Sequence, residues 1–155
     1  MTESRHATQR RFMALLKRQS HKIDVLASVP LFGTLSKKEL TTLARLCDEI
    51  TVAEGTILMK QGDRAVQSVI ILKGACAVRR NGRKIADLGK GDIAGEMGLV
   101  TDQPCNATVK TTKESTLLVL TGGAFSDAMA QMPSMASKVL KVVATRLAEN
   151  DRRAT

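Results

Sequence analysis

The residues best placed to do chemistry lie in one stretch, Gly89-Lys-Gly-Asp-Ile-Ala-Gly-Glu-Met-Gly-Leu-Val-Thr-Asp-Gln-Pro-Cys-Asn-Ala-Thr-Val109. Glycines at this spacing let consecutive backbone N–H groups turn into one concavity, the arrangement that receives an anion, and a short helix starting near Glu96 would add its positive end. The small residues Gly95 and Gly98 permit close approach to the backbone. A carboxylate beside an anion repels it unless it accepts from a hydroxyl, so Glu96 suits a ligand carrying a sugar hydroxyl next to a phosphate. The same composition also fits a glycine-rich surface loop with a solvated glutamate.

Little else in the chain is equipped for catalysis. The two histidines, His6 and His21, lie in the basic N-terminal segment, and Cys105 and Glu96 have no evident base or partner acid. Cys47, Cys76 and Cys105 are odd in number and widely spaced, which fits neither a disulfide framework nor a metal site. No phosphate-binding loop of the nucleotide-hydrolase type and no nucleophile elbow is present. A non-enzymatic protein without a metal is expected. The reduced cysteines, together with a longest early apolar run of only Phe12 to Leu16, point to a soluble, cytoplasmic protein.

The net charge of +9 raises a nucleic-acid reading, but its distribution argues against one. Residues 1–24 hold six Lys/Arg against two acidic residues and residues 133–155 five against two, so the middle is nearly neutral at thirteen against eleven. Aromatic residues make up 2% of the chain and there is no Trp or Tyr to stack on a base. Basic ends of this kind fit solvated helix faces.

The elements that must position the glycine-rich stretch follow from periodicity. Phe12, Leu15, Leu16, Ile23 and Leu26 fall on one side of an amphipathic helix over residues 10–26. Ser36 three residues before Glu39 has capping-box spacing and opens a second helix to about Cys47. From Thr51 to Leu120 the pattern changes to short β-branched runs: Thr56 to Met59, Val69 to Leu72, Cys76 to Val78, Ile85 to Leu88, Ala107 to Val109 and Thr116 to Leu120. Eight of the eleven glycines punctuate this segment, and Asn81-Gly82 is a hairpin turn. A short helix over Ala124 to Met132 precedes a longer one opened by Pro133, with Met135, Val139, Leu140, Val143 and Leu147 as its apolar stripe. The expected fold is mostly β with flanking helices, a β-roll or jelly-roll barrel of about eight short strands with an N-terminal helical segment and two C-terminal helices. Its expected organisation is a basic helix over 1–28, one domain over 29–150 and a frayed tail over 151–155.

The order of motifs resembles the cyclic-nucleotide-binding domain family. Val29-Pro-Leu-Phe-Gly-Thr-Leu-Ser-Lys-Lys-Glu-Leu40 is similar to the family's N-terminal helical motif, Gln61-Gly-Asp63 to its early turn, and Leu88-Gly-Lys-Gly-Asp92 to the turn before its phosphate-binding cassette. Gly95-Glu96-x-Gly-Leu99, Pro104 and Ala107-Thr-Val109 resemble the cassette itself. The resemblance implies a regulatory domain, familiar from bacterial and kinase-regulatory relatives, that binds cyclic AMP or cyclic GMP as a ligand, with no cofactor. It places the site on Gly95, Glu96, Met97, Gly98, Leu99, Cys105, Asn106, Ala107 and Thr108, with Glu96 on the ribose 2′-hydroxyl and amides near Gly98 and Asn106 on the phosphate. Val78 and Ile85 match positions on the base side, although apolar strand residues belong to the core of any barrel.

One departure stands out. The family's arginine after the cassette proline is Cys105 here. Losing charge-assisted bonds of that type costs about 2–4 kcal/mol, or about 30- to 1000-fold in affinity. Three accounts are open: Arg146, at a lid position on the last helix, substitutes; the pocket is empty or holds something else; or Cys105 acts as a thiol sensor. The resemblance also implies movement of the last helix on ligand binding. The other class of reading is a protein-interaction module that uses the terminal helices for a partner or a second copy. Neither a DNA-binding domain nor a membrane is expected as a partner.

Overall fold

In a computed structural model of the chain, the backbone is described for residues 2–154 and side chains for residues 5–151. The chain opens with α1 (Thr2–Ala27), a 3-10 turn (Pro30–Phe32) and α2 (Lys37–Leu46). Eight strands follow: β1 (Asp48–Val52), β2 (Ile57–Met59), β3 (Gln67–Lys73), β4 (Cys76–Arg80), β5 (Arg83–Leu88), β6 (Ile93–Ala94), β7 (Thr108–Thr111) and β8 (Ser115–Thr121), with a 3-10 turn over Glu96–Leu99 between β6 and β7. The chain closes with α3 (Gly122–Gln131) and α4 (Pro133–Ala154). The helix therefore runs on through the stretch expected to be a tail, and Thr155 lies outside the described residues.

The strands form two antiparallel sheets, ordered β1-β8-β3-β6 and β2-β7-β4-β5, the jelly-roll expected from the strand pattern. All six β-branched runs of the sequence fall on strands, with only Thr56 and Ala107 one residue outside them. The other two strands carry little signal: four of the five β1 residues are exposed, and β6 is a two-residue strand inside the glycine-rich stretch.

β3 and β8 hold the molecule together because both their faces are covered. Ile70, Leu72, Leu118 and Leu120 point to the helices and pack with Leu26, Phe32, Leu43, Phe125, Met135 and Val139. Val69, Ile71, Leu117 and Val119 point into the barrel, against Met59, Cys76 and Val109. A strand buried on both sides reads as an unbroken apolar run rather than an alternation, which is the form of Val69 to Leu72 and of Leu117 to Leu120.

The turns match the local chemistry. Asn81 and Gly82 have φ of 53° and 78°, the two left-handed residues a tight hairpin needs. In the capping box of α2, Ser36 Oγ accepts from the Glu39 N–H at 3.2 Å and Glu39 Oε1 accepts from the Ser36 N–H at 2.8 Å. Pro133 opens α4.

Glu39 does more than cap. It is almost fully buried, and it accepts from Lys138 Nζ at 2.6 Å and Ser134 Oγ at 2.8 Å, so it ties α2 to α4. Burial pushes the carboxyl pKa up, but the bonds from Lys138, the Ser36 N–H and Ser134 outweigh it and hold the group down at about 2. A carboxylate held below its unfolded value stabilises the fold above about pH 4.5 and loses that contribution as pH falls toward 2. Glu39→Gln keeps the capping geometry and strands Lys138, so denaturant unfolding at neutral pH is expected to show a loss of about 1–3 kcal/mol. The gap between variant and parent should close on acidification through that window.

Candidate functional site

The glycine-rich stretch lies along one side of a half-open cavity of about 810 Å³ at the second sheet, within the range of small-molecule sites. Its apolar wall comes from the second sheet and the residues beside it: Met59, Val78, Ala86, Leu88 and Val109. Its polar rim comes from Gly95, Glu96, Met97 and Gly98 on one side and Cys105, Asn106 and Ala107 on the other. Eight of the twelve residues picked from the sequence therefore share this cavity, Val78 among them.

The other four lie elsewhere. Leu99 turns into the helical core. Thr108 sits on β7, where its Oγ1 accepts from the Gln61 N–H at 3.0 Å. Arg146 reaches the site only through Glu96 and Met97, as described below. Ile85 is half exposed and does not line the cavity. The cause is a bulge. The Asn81-Gly82 turn pairs Arg80 with Arg83 and Arg79 with Lys84, and continuing that register would set Val78 opposite Ile85; the register instead slips so that Val78 faces Ala86. Ile85 is the extra residue, and Ala86 takes its place on the wall.

Gly95 is required by the packing of the rim itself. Its φ is +79°, and a Cβ there would lie 2.5 Å from Met59 Cε and 3.0 Å from the Gln67 carbonyl oxygen. A Cβ on Gly98 would lie 2.8 Å from that of Ala65. These glycines let the rim pack against the barrel.

The amides divide into used and unused. The Gly98 N–H donates to the Gly95 carbonyl at 3.1 Å, closing the 3-10 turn instead of facing the cavity. The Cys105 N–H donates to the Asp63 carbonyl and the Gly62 N–H to the Cys105 carbonyl, both at 2.8 Å, so the Gln61-Gly-Asp63 turn braces the cysteine from both sides. Arg80 Nε donates to the Asn106 carbonyl at 3.0 Å, a brace that the sequence gives no means of finding. Among the described residues the N–H groups of Asn106 and Ala107 meet no protein acceptor. The N–H groups of Glu96 and Met97, at the start of the 3-10 turn, likewise meet no protein acceptor among the described residues, so the cavity rim carries unused amides on both sides, one pair next to Cys105.

Glu96 is part-buried, and its Oε1 accepts from the Leu31 N–H at 3.2 Å and from Arg146 Nη2 at 3.1 Å. Arg146 Nη1 lies 3.9 Å from Met97 Sδ. Both Glu96 contacts fall on Oε1. Among the described residues no protein donor reaches Oε2, which keeps its acceptor capacity.

A barrel end with a glycine-shaped rim, unused amides and one carboxylate carries the donors and acceptors that a small polar molecule would need. The profile of the cyclic nucleotide-binding domain matches residues 49–132, and the chain belongs to that family. It is 28% identical over 131 residues to a putative potassium channel protein of Rhodopseudomonas palustris, covering 82% of this chain and 32% of the channel. It is 32% identical over 88 residues to the cAMP-dependent protein kinase regulatory subunit of Schizosaccharomyces pombe, covering 56% of this chain and 21% of that protein. The chain thus spans about a third or less of the length of these curated relatives. The N-terminal domain of a transcriptional regulator from Streptomyces coelicolor superposes with a TM-score of 0.77 at 29% identity, covering 84% of this chain and 94% of that domain.

Gly95→Ala would force a side chain into a left-handed position already in contact with Met59. It is expected to cost about 1–3 kcal/mol in urea unfolding, whereas Gly89→Ala, where a Cβ meets nothing within 4 Å, should change stability far less.

Proposed function

We propose that the chain is a non-catalytic regulatory module that binds cyclic AMP or cyclic GMP weakly in this cavity and transmits occupancy through α4. The observation that carries the reading is the pairing, across one cavity, of the unused Asn106 and Ala107 amides with the open Oε2 of Glu96. A cyclic phosphate fits the first and a ribose 2′-hydroxyl the second, while Val78, Ala86 and Leu88 offer an apolar bed for a base.

Weakness follows from Cys105. The thiol brings no fixed positive charge to the phosphate side, and Arg146 is engaged with Glu96 instead of compensating for it. Coupling follows from the same pair. A ligand hydroxyl on Glu96 competes with or reorients the Arg146 contact, so the two positions of α4 would bind the ligand unequally, which is the condition for a ligand-driven shift.

A second reading, in which the cavity binds no cyclic nucleotide and the module acts through protein contacts or dimerisation, draws on the exposed Leu140 and Leu147 of α4. One titration series separates the two. Calorimetry with each nucleotide, carried to millimolar concentration, is expected to give weak binding that Glu96→Gln reduces by about 10- to 100-fold. Cys105→Arg should tighten it by about 30- to 1000-fold. A silent parent with a binding Cys105→Arg variant would favour the second reading. Silence from both would remove nucleotide binding altogether.

A further inference from the structure

α1 is longer than the body it packs on. Leu26 is fully buried and Ile23 packs against the same core, but the helix continues toward its N-terminus with Phe12, Met13, Leu15 and Leu16 exposed by 60%, 51%, 62% and 49%. At 100° per residue, Phe12, Leu15, Leu16, Ile23 and Leu26 fall within an arc of about 100°. The stripe that anchors the helix to the domain therefore runs on, bare, for more than a turn beyond it.

Charge decides what could cover it. From residue 5 to residue 22 the helix carries Arg5, Arg10, Arg11, Lys17, Arg18 and Lys22 and no Asp or Glu. Arg10 and Lys17 lie opposite the apolar stripe, Arg18, Arg11 and Lys22 flank its edge, and Arg5 falls in line with it nearly two turns before Phe12. A second copy would bring an equally cationic helix alongside the first, and like charges at that range repel. A nucleic acid would satisfy the cations but leave Phe12, Leu15 and Leu16 in water, and the helix has no Trp or Tyr to stack on bases. A helix with Phe and Leu on one face and cations flanking and opposing it is the form that lies in the plane of an anionic lipid surface, with its apolar side in the acyl boundary and its cations at the headgroups.

We propose that the exposed part of α1 is a membrane-surface anchor for anionic lipid, so that the sensor domain works at a bilayer face without spanning it. Among the described residues no helix is long and apolar enough to cross a membrane, and the proposal needs none. It is independent of whether the cavity takes a nucleotide. It also replaces the expectation, drawn from the sequence, that no membrane is a partner.

The net charge of +9 would by itself give loose adsorption to any anionic vesicle, so the test must separate charge from insertion. The full chain is sedimented with phosphatidylcholine vesicles, either pure or containing about 30% phosphatidylglycerol. Binding is expected only to the mixed vesicles. Phe12→Ser/Leu15→Ser/Leu16→Ser leaves every charge in place and touches only exposed positions; it should lower partitioning by about tenfold or more. Arg10→Gln/Arg11→Gln/Lys17→Gln/Arg18→Gln should lower it by more than about a hundredfold, at about fivefold per cation. Circular dichroism and the urea midpoint of each variant confirm that the domain is still folded. The proposal is overturned if the parent ignores the mixed vesicles or if the apolar triple variant binds them as well as the parent does. It is also overturned if sedimentation of the lipid-free chain shows a dimer that the apolar triple variant dissolves, since a second copy then covers the stripe.

Discussion

Glu96 Oε1 accepts from the Leu31 N–H and from Arg146 Nη2, so a single oxygen holds the rim of the cavity to both helical parts of the molecule. Leu31 belongs to the 3-10 turn that α1 leads into, and Arg146 to α4, while Glu96 itself opens the turn that frames the cavity. The amides of Asn106 and Ala107 hold their place because the Gln61-Gly-Asp63 turn and Arg80 brace the backbone around Cys105, and that bracing stays inside the barrel. The contacts of Glu96, the approach of Arg146 to Met97 and the packing of Leu99 are what join the rim to the helices.

The two cores give that arrangement its stiffness. β3 and β8 carry barrel residues on one face and helix-facing residues on the other, so the sheet is a shared wall between sensor cavity and helical layer. Glu39 fastens the far side of the helical layer by linking the first turn of α2 to Ser134 and Lys138 in the first turns of α4. α4 is thus pinned near its start and meets the cavity only two turns later, at Arg146. Between the two, Val139 is buried in the helical core and Val142 and Val143 pack against it.

Much of this was legible because local chemistry and global fold agree. Ser36 and Glu39 announce a cap, Asn81-Gly82 a hairpin, and the glycine-spaced stretch a rim, and each does so through backbone rules acting over a few residues. What escaped depends on register or on contacts between distant segments. The exchange of Ile85 for Ala86 follows from a bulge that no two-residue turn announces. The Arg80 brace and the Leu31 contact to Glu96 join residues 26 and 65 positions apart. Gly95 was legible as a small residue beside a site, but its packing constraint, a left-handed residue pressed on Met59, needs the barrel to be in place. Phe12 to Leu16 looked like part of a packed stripe, since nothing in a periodic pattern says where the partner surface ends.

Hydrogen exchange resolved to single amides, with and without millimolar cyclic AMP, tests the central account most directly. The account predicts slower exchange at Asn106 and Ala107, where the phosphate would sit, together with a change at the Leu31 amide and along the second half of α4. Protection at the rim with Leu31 and α4 untouched would contradict it, because the cavity would then fill without Glu96 relaying the event.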